Sequence, residues 1–253
     1  MTGHGPRAAD LAARYAGRSH PARLIGEACR SAVRGEYSVG LTLGADGGHG
    51  QRVSLSAAGE LAGPGESLQI SLGEGPCVQA LYRGGPVAVD DVEVADEARQ
   101  WPVFARRARE HGIRALYALL ARTGFTSDRS AAVVLTLYRD RAGPASTADL
   151  DVAQTHAAAA DILLFSPPAG PSSGQGGENP DDAWLVPSHA VIHQAVGMLS
   201  YRNSISPGRA LSLLRAHALA RDTDPVLLAH AVVHENLDLP GPPGPSADGP
   251  PRG

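Results

Sequence analysis

The chain has 253 residues, of which 43% are hydrophobic and 19% charged, with a formal net charge of −4. That length suits one large or two small domains with an ample core, and the apolar content is that of an ordinary globular protein, which excludes a wholly disordered chain. All 22 basic residues are arginine, and the slightly acidic balance excludes nucleic-acid binding through overall charge, so any basic footprint must be local.

The first twenty residues lack the continuous apolar core of a signal peptide, and no run approaches the length that spans a bilayer. Cys29 and Cys77 are the sole cysteines and lie far apart, as expected of a reducing compartment rather than a disulfide scaffold. A cytoplasmic protein is therefore expected.

Residues 8–34 read as helix, with Leu11, Tyr15, Leu24, Ile25 and Ala28 as apolar positions and a break near Pro21. Residues 36–43 and 52–56 alternate and predict a hairpin around the glycine-rich turn 44–50. Gly63-Pro64-Gly65 reads as a loop, and residues 68–72 as a short strand. In Gly73-Glu74-Gly75-Pro76-Cys77, the proline and the later Gly84 frame a short helix. Residues 86–89 are a brief strand. Trp101-Pro102 opens an amphipathic helix that Gly112 ends. Residues 113–122 and 131–138 are apolar and rich in strand formers, and fit a central antiparallel pair with Gly124 and Asp128 between them. Ser146 caps a last helix, with Leu150, Val152, Ala153, Ala157, Ala160 and Leu163 available for burial.

Enzymatic signals are poor, and no enzyme is expected. The stretch from Gly35 to Gly40 is one residue too long for a nucleophile elbow and stands at a strand start. Gly73-Glu74-Gly75 lacks the third glycine of a dinucleotide fingerprint, and no Walker loop occurs. Cys77 follows Pro76 at a helix start, where the dipole lowers a thiol's pKa, so a redox or ligand-contacting role is one reading and a small buried hydrophobe the other.

An antiparallel sheet with helices at both ends and inserted in the middle is an α+β arrangement. Gly73-Glu74-Gly75-Pro76-Cys77, Gly85 through Asp91, Trp101-Pro102-Val103-Phe104 and Gly112 through Ala118, in that order and spacing, resemble the GAF domain over residues 23–165. The resemblance implies a sensor with a pocket on one sheet face that holds a small ligand in some members. No other cofactor is implied.

Residues 166–186 are rich in proline, glycine and serine and too poor in apolar groups to offset the entropy of ordering them, so a flexible linker is expected. Beyond it lie three apolar-periodic segments. Val191, Ile192, Ala195, Met198 and Leu199 share one helical face after a Ser188 cap. Ser206-Pro207 opens a second helix striped by Ala210, Leu211, Leu214 and Ala218, with Leu213 beside them. Asp224-Pro225 opens a third with Leu228, Ala229, Val232 and Val233. Each is too short to be stable alone, so a three-helix bundle over residues 187–238 is expected. Residues 239–253 read as a proline-rich, disordered tail.

Ile192 through Leu199, Ser206 with Ala210-Leu211, Leu213-Leu214-Arg215, Leu228-Ala229 and Val232-Val233 resemble the ANTAR domain, a three-helix RNA-binding module of bacterial antitermination regulators. Val196 stands where that family carries a lysine, Arg209 where it carries an acidic residue, and Leu227 where it carries a polar one. The resemblance implies that paired RNA hairpins in nascent transcripts are bound by a homodimer. Candidate RNA-contacting residues are Gln194, Arg202, Arg209, Arg215 and His217, with Gly197 allowing close helix approach. Arginine pairs with phosphate or a guanine edge and stacks on bases, and glutamine can donate and accept at a base edge.

Two other readings stand beside this one. The bundle could be a protein-interaction or dimerisation module with Val196 and Leu227 as exposed contacts, or a degenerate partner to a ligand-binding sensor. His189 with His193, and His230 with His234, sit four apart on predicted helices. That spacing can hold a metal, but no glutamate follows the first histidine as in a zinc protease, and no metal site is expected.

Overall fold

In the computed structural model, residues 4–45, 52–94, 99–121, 131–165, 187–221, 223 and 225–240 are described. By packing, the chain divides into two compact units, with the division in sequence between His189 and Ala190.

The first unit opens with two helices, α1 (His4–Tyr15) and α2 (Pro21–Ala32), because Pro21 starts a new helix and His20 turns the chain through the left-handed region at φ 53°. Strands β1 (Ser38–Ala45) and β2 (Arg52–Ala58) form the expected hairpin; its tip lies outside the described residues. Next comes α3 (Ala62–Leu72). This overturns the expected loop at residues 63–65 and strand at 68–72. The glycine there serves proximity, not turning: a Cβ on Gly65 would strike the Tyr138 ring, so only glycine lets the helix lie this close to the sheet. Leu68, Gln69, Ile70 and Ser71 are all buried in succession and no residue of the helix is exposed, so the helix has no polar face to give an amphipathic period.

Helix α4 (Pro76–Arg83), strand β3 (Val87–Val89), helix α5 (Pro102–Glu110), strands β4 (Ala115–Ala121) and β5 (Ala131–Arg139) and helix α6 (Thr147–Phe165) follow. The Ser146 hydroxyl accepts from the Asp149 backbone N–H at 3.1 Å, the predicted cap of α6. The five strands form one antiparallel sheet in the order β2-β1-β5-β4-β3. Side chains alternate across it. Val39, Leu41, Tyr117, Leu119, Val133, Leu135 and Leu137 pack with α1, α2 and α6. Leu116, Ala118, Val134 and Tyr138 pack with α3, α4 and α5.

The second unit is three helices: α7 (Pro187–Asn203), α8 (Pro207–Ala220) and α9 (Pro225–His234). Each begins at a proline, whose missing N–H has no helical partner to lose. Helix α7 thus starts one residue before the expected Ser188 cap. The Ser206 hydroxyl faces the Arg209 backbone N–H at 3.4 Å, at the start of α8. Asp224 lies outside the described residues. Ile192, Ala195, Val196, Leu199, Ala210, Leu214, Ala218, Leu228, Ala229 and Val232 form a shared core. Leu239 is fully buried in it, which corrects the reading of residue 239 as tail. Residues 166–186 and 241–253 lie outside the described residues. Among the described residues no helix is long and apolar enough to cross a membrane.

Candidate nucleic-acid interface and buried polar network

The bodies of α7, α8 and α9 contain no aspartate or glutamate. The four acids of residues 187–239 are Asp222, Asp224, Glu235 and Asp238, all in connections or the C-terminal segment. The near-neutral count over this region therefore conceals a partial segregation: Arg202, Arg209 and Arg215 stand on the helices, Arg221 follows α8, and all four acids stand outside the helices.

Gln194 and Gly197 are exposed on α7, and among the described residues nothing lies within 4 Å of where a Gly197 Cβ would stand. Gly197 therefore serves no approach of helices within the bundle; it leaves a shallow place in the surface of α7. Tyr201 continues that track at the helical spacing of i, i+3 and i+7 and is 90% exposed. The sequence reading missed this tyrosine. Its signal was an aromatic ring on a face otherwise free of apolar residues.

Arg202 is exposed, but its guanidinium donates to the Leu237 carbonyl at 3.3 Å and to the Asn236 side chain, so it ties α7 to the segment after α9. His217 does the same from α8. Its Nε2–H donates to the Pro240 carbonyl at 3.1 Å, and Nδ1 accepts from Arg221 at 3.0 Å, the pattern of a neutral ring protonated on Nε2. Both residues, expected at RNA, fasten the bundle to its own C-terminal segment. Arg215 is half-buried and engaged with neighbours. Arg209 is exposed and, among the described residues, its guanidinium takes part in no hydrogen bond or ion pair.

Val196 is buried, which corrects its reading as an exposed contact; the valine fills core where a lysine's charge would need an exit to water. Leu227 is 66% exposed. The His230 and His234 rings stack 5.4 Å apart at 26°, facing each other rather than converging on a point. The side chains of His189 and His193 are outside the described residues.

In the first unit, the sheet face toward α3 and α4 carries a buried polar chain. Glu66 of α3 is fully buried. It accepts from Thr42 of β1 and from the Tyr138 hydroxyl of β5, the latter at 2.6 Å. Gln69 donates to that hydroxyl at 2.7 Å, and its carbonyl accepts from the Cys77 backbone N–H at 2.6 Å. Burial pushes the Glu66 carboxyl up to about 7, against the pull of its two donors. It drives the Tyr138 hydroxyl well above its ordinary range, helped by the Glu66 charge. Ser54 Oγ and Thr136 Oγ1 are buried without a hydrogen-bond partner among the described residues. Threonines, serines, a tyrosine and a glutamate at scattered positions had no spacing that sequence could read as one cluster.

Cys77 is fully buried, and burial first, then the Glu66 charge, raises its thiol pKa. Of the two readings of Cys77, its burial favours the small buried hydrophobe, because desolvation of a thiolate outweighs one helix dipole. Cys29 is likewise buried, its thiol pushed up to about 12. A separate surface cleft of about 320 Å³ lies beside Glu74, Gln79, Tyr82 and Trp101.

Among solved structures, the chain is similar to a domain of a two-component sensor histidine kinase protein from Sinorhizobium meliloti 1021, at 18% identity and a TM-score of 0.44, over 58% of this chain and 91% of that one. No protein-family model and no curated protein matches it.

Proposed function

We propose that this chain is an RNA-binding regulator, with a GAF-like sensor in its first unit and an ANTAR-like bundle in its second, that acts in transcription antitermination. The observation that carries the reading is the charge segregation of the bundle. Arg209 and Gln194 are exposed on helices that bear no carboxylate, and Tyr201 offers a ring for a base to stack on. A solvated helix surface ordinarily mixes both signs of charge.

The role follows from equilibrium. A protein that binds one RNA fold better than another shifts the population toward it, and holding an antiterminator hairpin keeps a terminator from forming. Two hairpins are best met by two bundles, so the working form is a homodimer. Exposed Leu227 is available as a contact between copies. In the sensor, the orphaned hydroxyls of Ser54 and Thr136 beside buried Glu66 mark the sheet face on which a small polar ligand is read.

The test is titration of the purified protein with a two-hairpin RNA across a salt series. Affinity is expected to fall as salt rises, and Arg209→Ala and Tyr201→Ala to weaken binding by about threefold to thirtyfold each. Absence of binding to any structured RNA at low salt would overturn the reading. A stable protein partner with no copurifying RNA would favour an interaction module.

A further inference from the structure

The surface of α8 away from its core stripe carries a groove of about 540 Å³, lined chiefly by apolar atoms, with Arg209, Ser212, Leu213, Ala216, His217 and Pro240 around it. Arg209, Leu213 and Ala216 recur at four and three residues and so lie on one helical face. The far wall is fixed, because His217 holds the Pro240 carbonyl at 3.1 Å while Arg221 holds the other ring nitrogen at 3.0 Å. The Ser212 hydroxyl donates to the Gly208 carbonyl at 3.0 Å, which leaves its oxygen free to accept.

An apolar slot alone names no occupant. The charge around this one does. Its one exposed cation, Arg209, has no carboxylate on α7, α8 or α9 to answer it. We infer that the groove is a nucleobase subsite, which takes one unpaired base from the loop of a bound RNA. The planar ring lies against Leu213, Ala216 and Pro240, Ser212 accepts from a ring or exocyclic N–H, and Arg209 pairs with the flanking phosphate or stacks on the base. An apolar protein side chain would fill the floor but leave the arginine edge unanswered, whereas a nucleotide supplies a flat ring and a phosphate together. This inference rests on the RNA-binding reading and specifies where one base goes.

The experiment uses the full chain and a hairpin RNA with a fluorescent adenine analogue in its loop. Ala216 is exposed, so Ala216→Phe fills the groove without entering the core. Ala216→Glu is the second variant, placing a carboxylate in the same slot; circular dichroism checks that each is folded. With the unaltered protein the analogue's emission changes on binding. With either variant that change is expected to vanish and affinity to fall roughly tenfold, the loss of about one stacked base. Ala216→Phe is expected to leave the salt dependence unchanged, since the phosphate contacts remain. RNA binding by both folded variants with full affinity and an unaltered emission change would overturn the subsite while leaving RNA binding intact. No RNA binding by the unaltered protein would remove both. A shift from dimer to monomer in sedimentation by Ala216→Phe, with the emission change retained, would assign the groove to a second copy instead and overturn the inference.

Discussion

Glu66 shows how one side chain sets a condition for the whole first unit. Its carboxyl is closed off from water between α3 and the sheet, yet two donors point at it. In the unfolded chain it titrates near 4.5, and in the folded protein at about 7. Below 4.5 both states hold the proton and the group is neutral in its effect. Between those values only the unfolded state releases it, so stability falls as pH rises. Above about 7 the folded protein carries the full cost, on the order of 3 kcal/mol. Glu66→Gln keeps the shape and an acceptor but cannot ionise. In urea unfolding, its stability relative to the unaltered protein is expected to rise between pH 5 and pH 8 by that order. A difference independent of pH would mean that Glu66 does not change protonation in this range.

At the level of elements, the segment after α9 belongs to the bundle as much as any helix. Leu239 enters the core, Asn203 donates to its carbonyl at 3.4 Å, and Arg202 and His217 hold Leu237 and Pro240. Three short helices bury a modest core, so one added leucine weighs heavily. Leu239→Ala is expected to destabilise the bundle by about 2–4 kcal/mol in chemical unfolding. An unchanged midpoint would show that the segment merely rests on the surface. The same lesson holds for α3. Gly63-Pro64-Gly65 carries turn residues, yet packing against Tyr138 recruits the glycine into a helix, and local propensity yields to burial.

For the whole molecule, the net charge of −4 gives no general pull toward polyanions. On the RNA-binding proposal, affinity comes from a few exposed groups used more than once, in a homodimer. A two-hairpin RNA is therefore expected to bind at least tenfold more tightly than either hairpin alone, with the protein dimeric in sedimentation. Equal affinities for one and two hairpins would leave the homodimer without a function in recognition.

Sequence by itself determined the five strands of the sheet, though it added a false one at 68–72, most helices and the three-helix C-terminal region, because alternation, 3.6-residue stripes and prolines at helix starts are local signals that packing later reinforced. It also placed Arg209 and Gln194 outside the apolar stripes, where both are exposed. Tertiary structure alone decided the rest. Helix α3 exposes no residue and so carries no amphipathic periodicity. Cys77 is buried, and desolvation outweighs the helix-start effect. Arg202 and His217 are claimed by a segment more than twenty residues away, and Leu239 completes a core from what reads as a tail. Those outcomes depend on which distant groups meet, and no spacing along the chain records that.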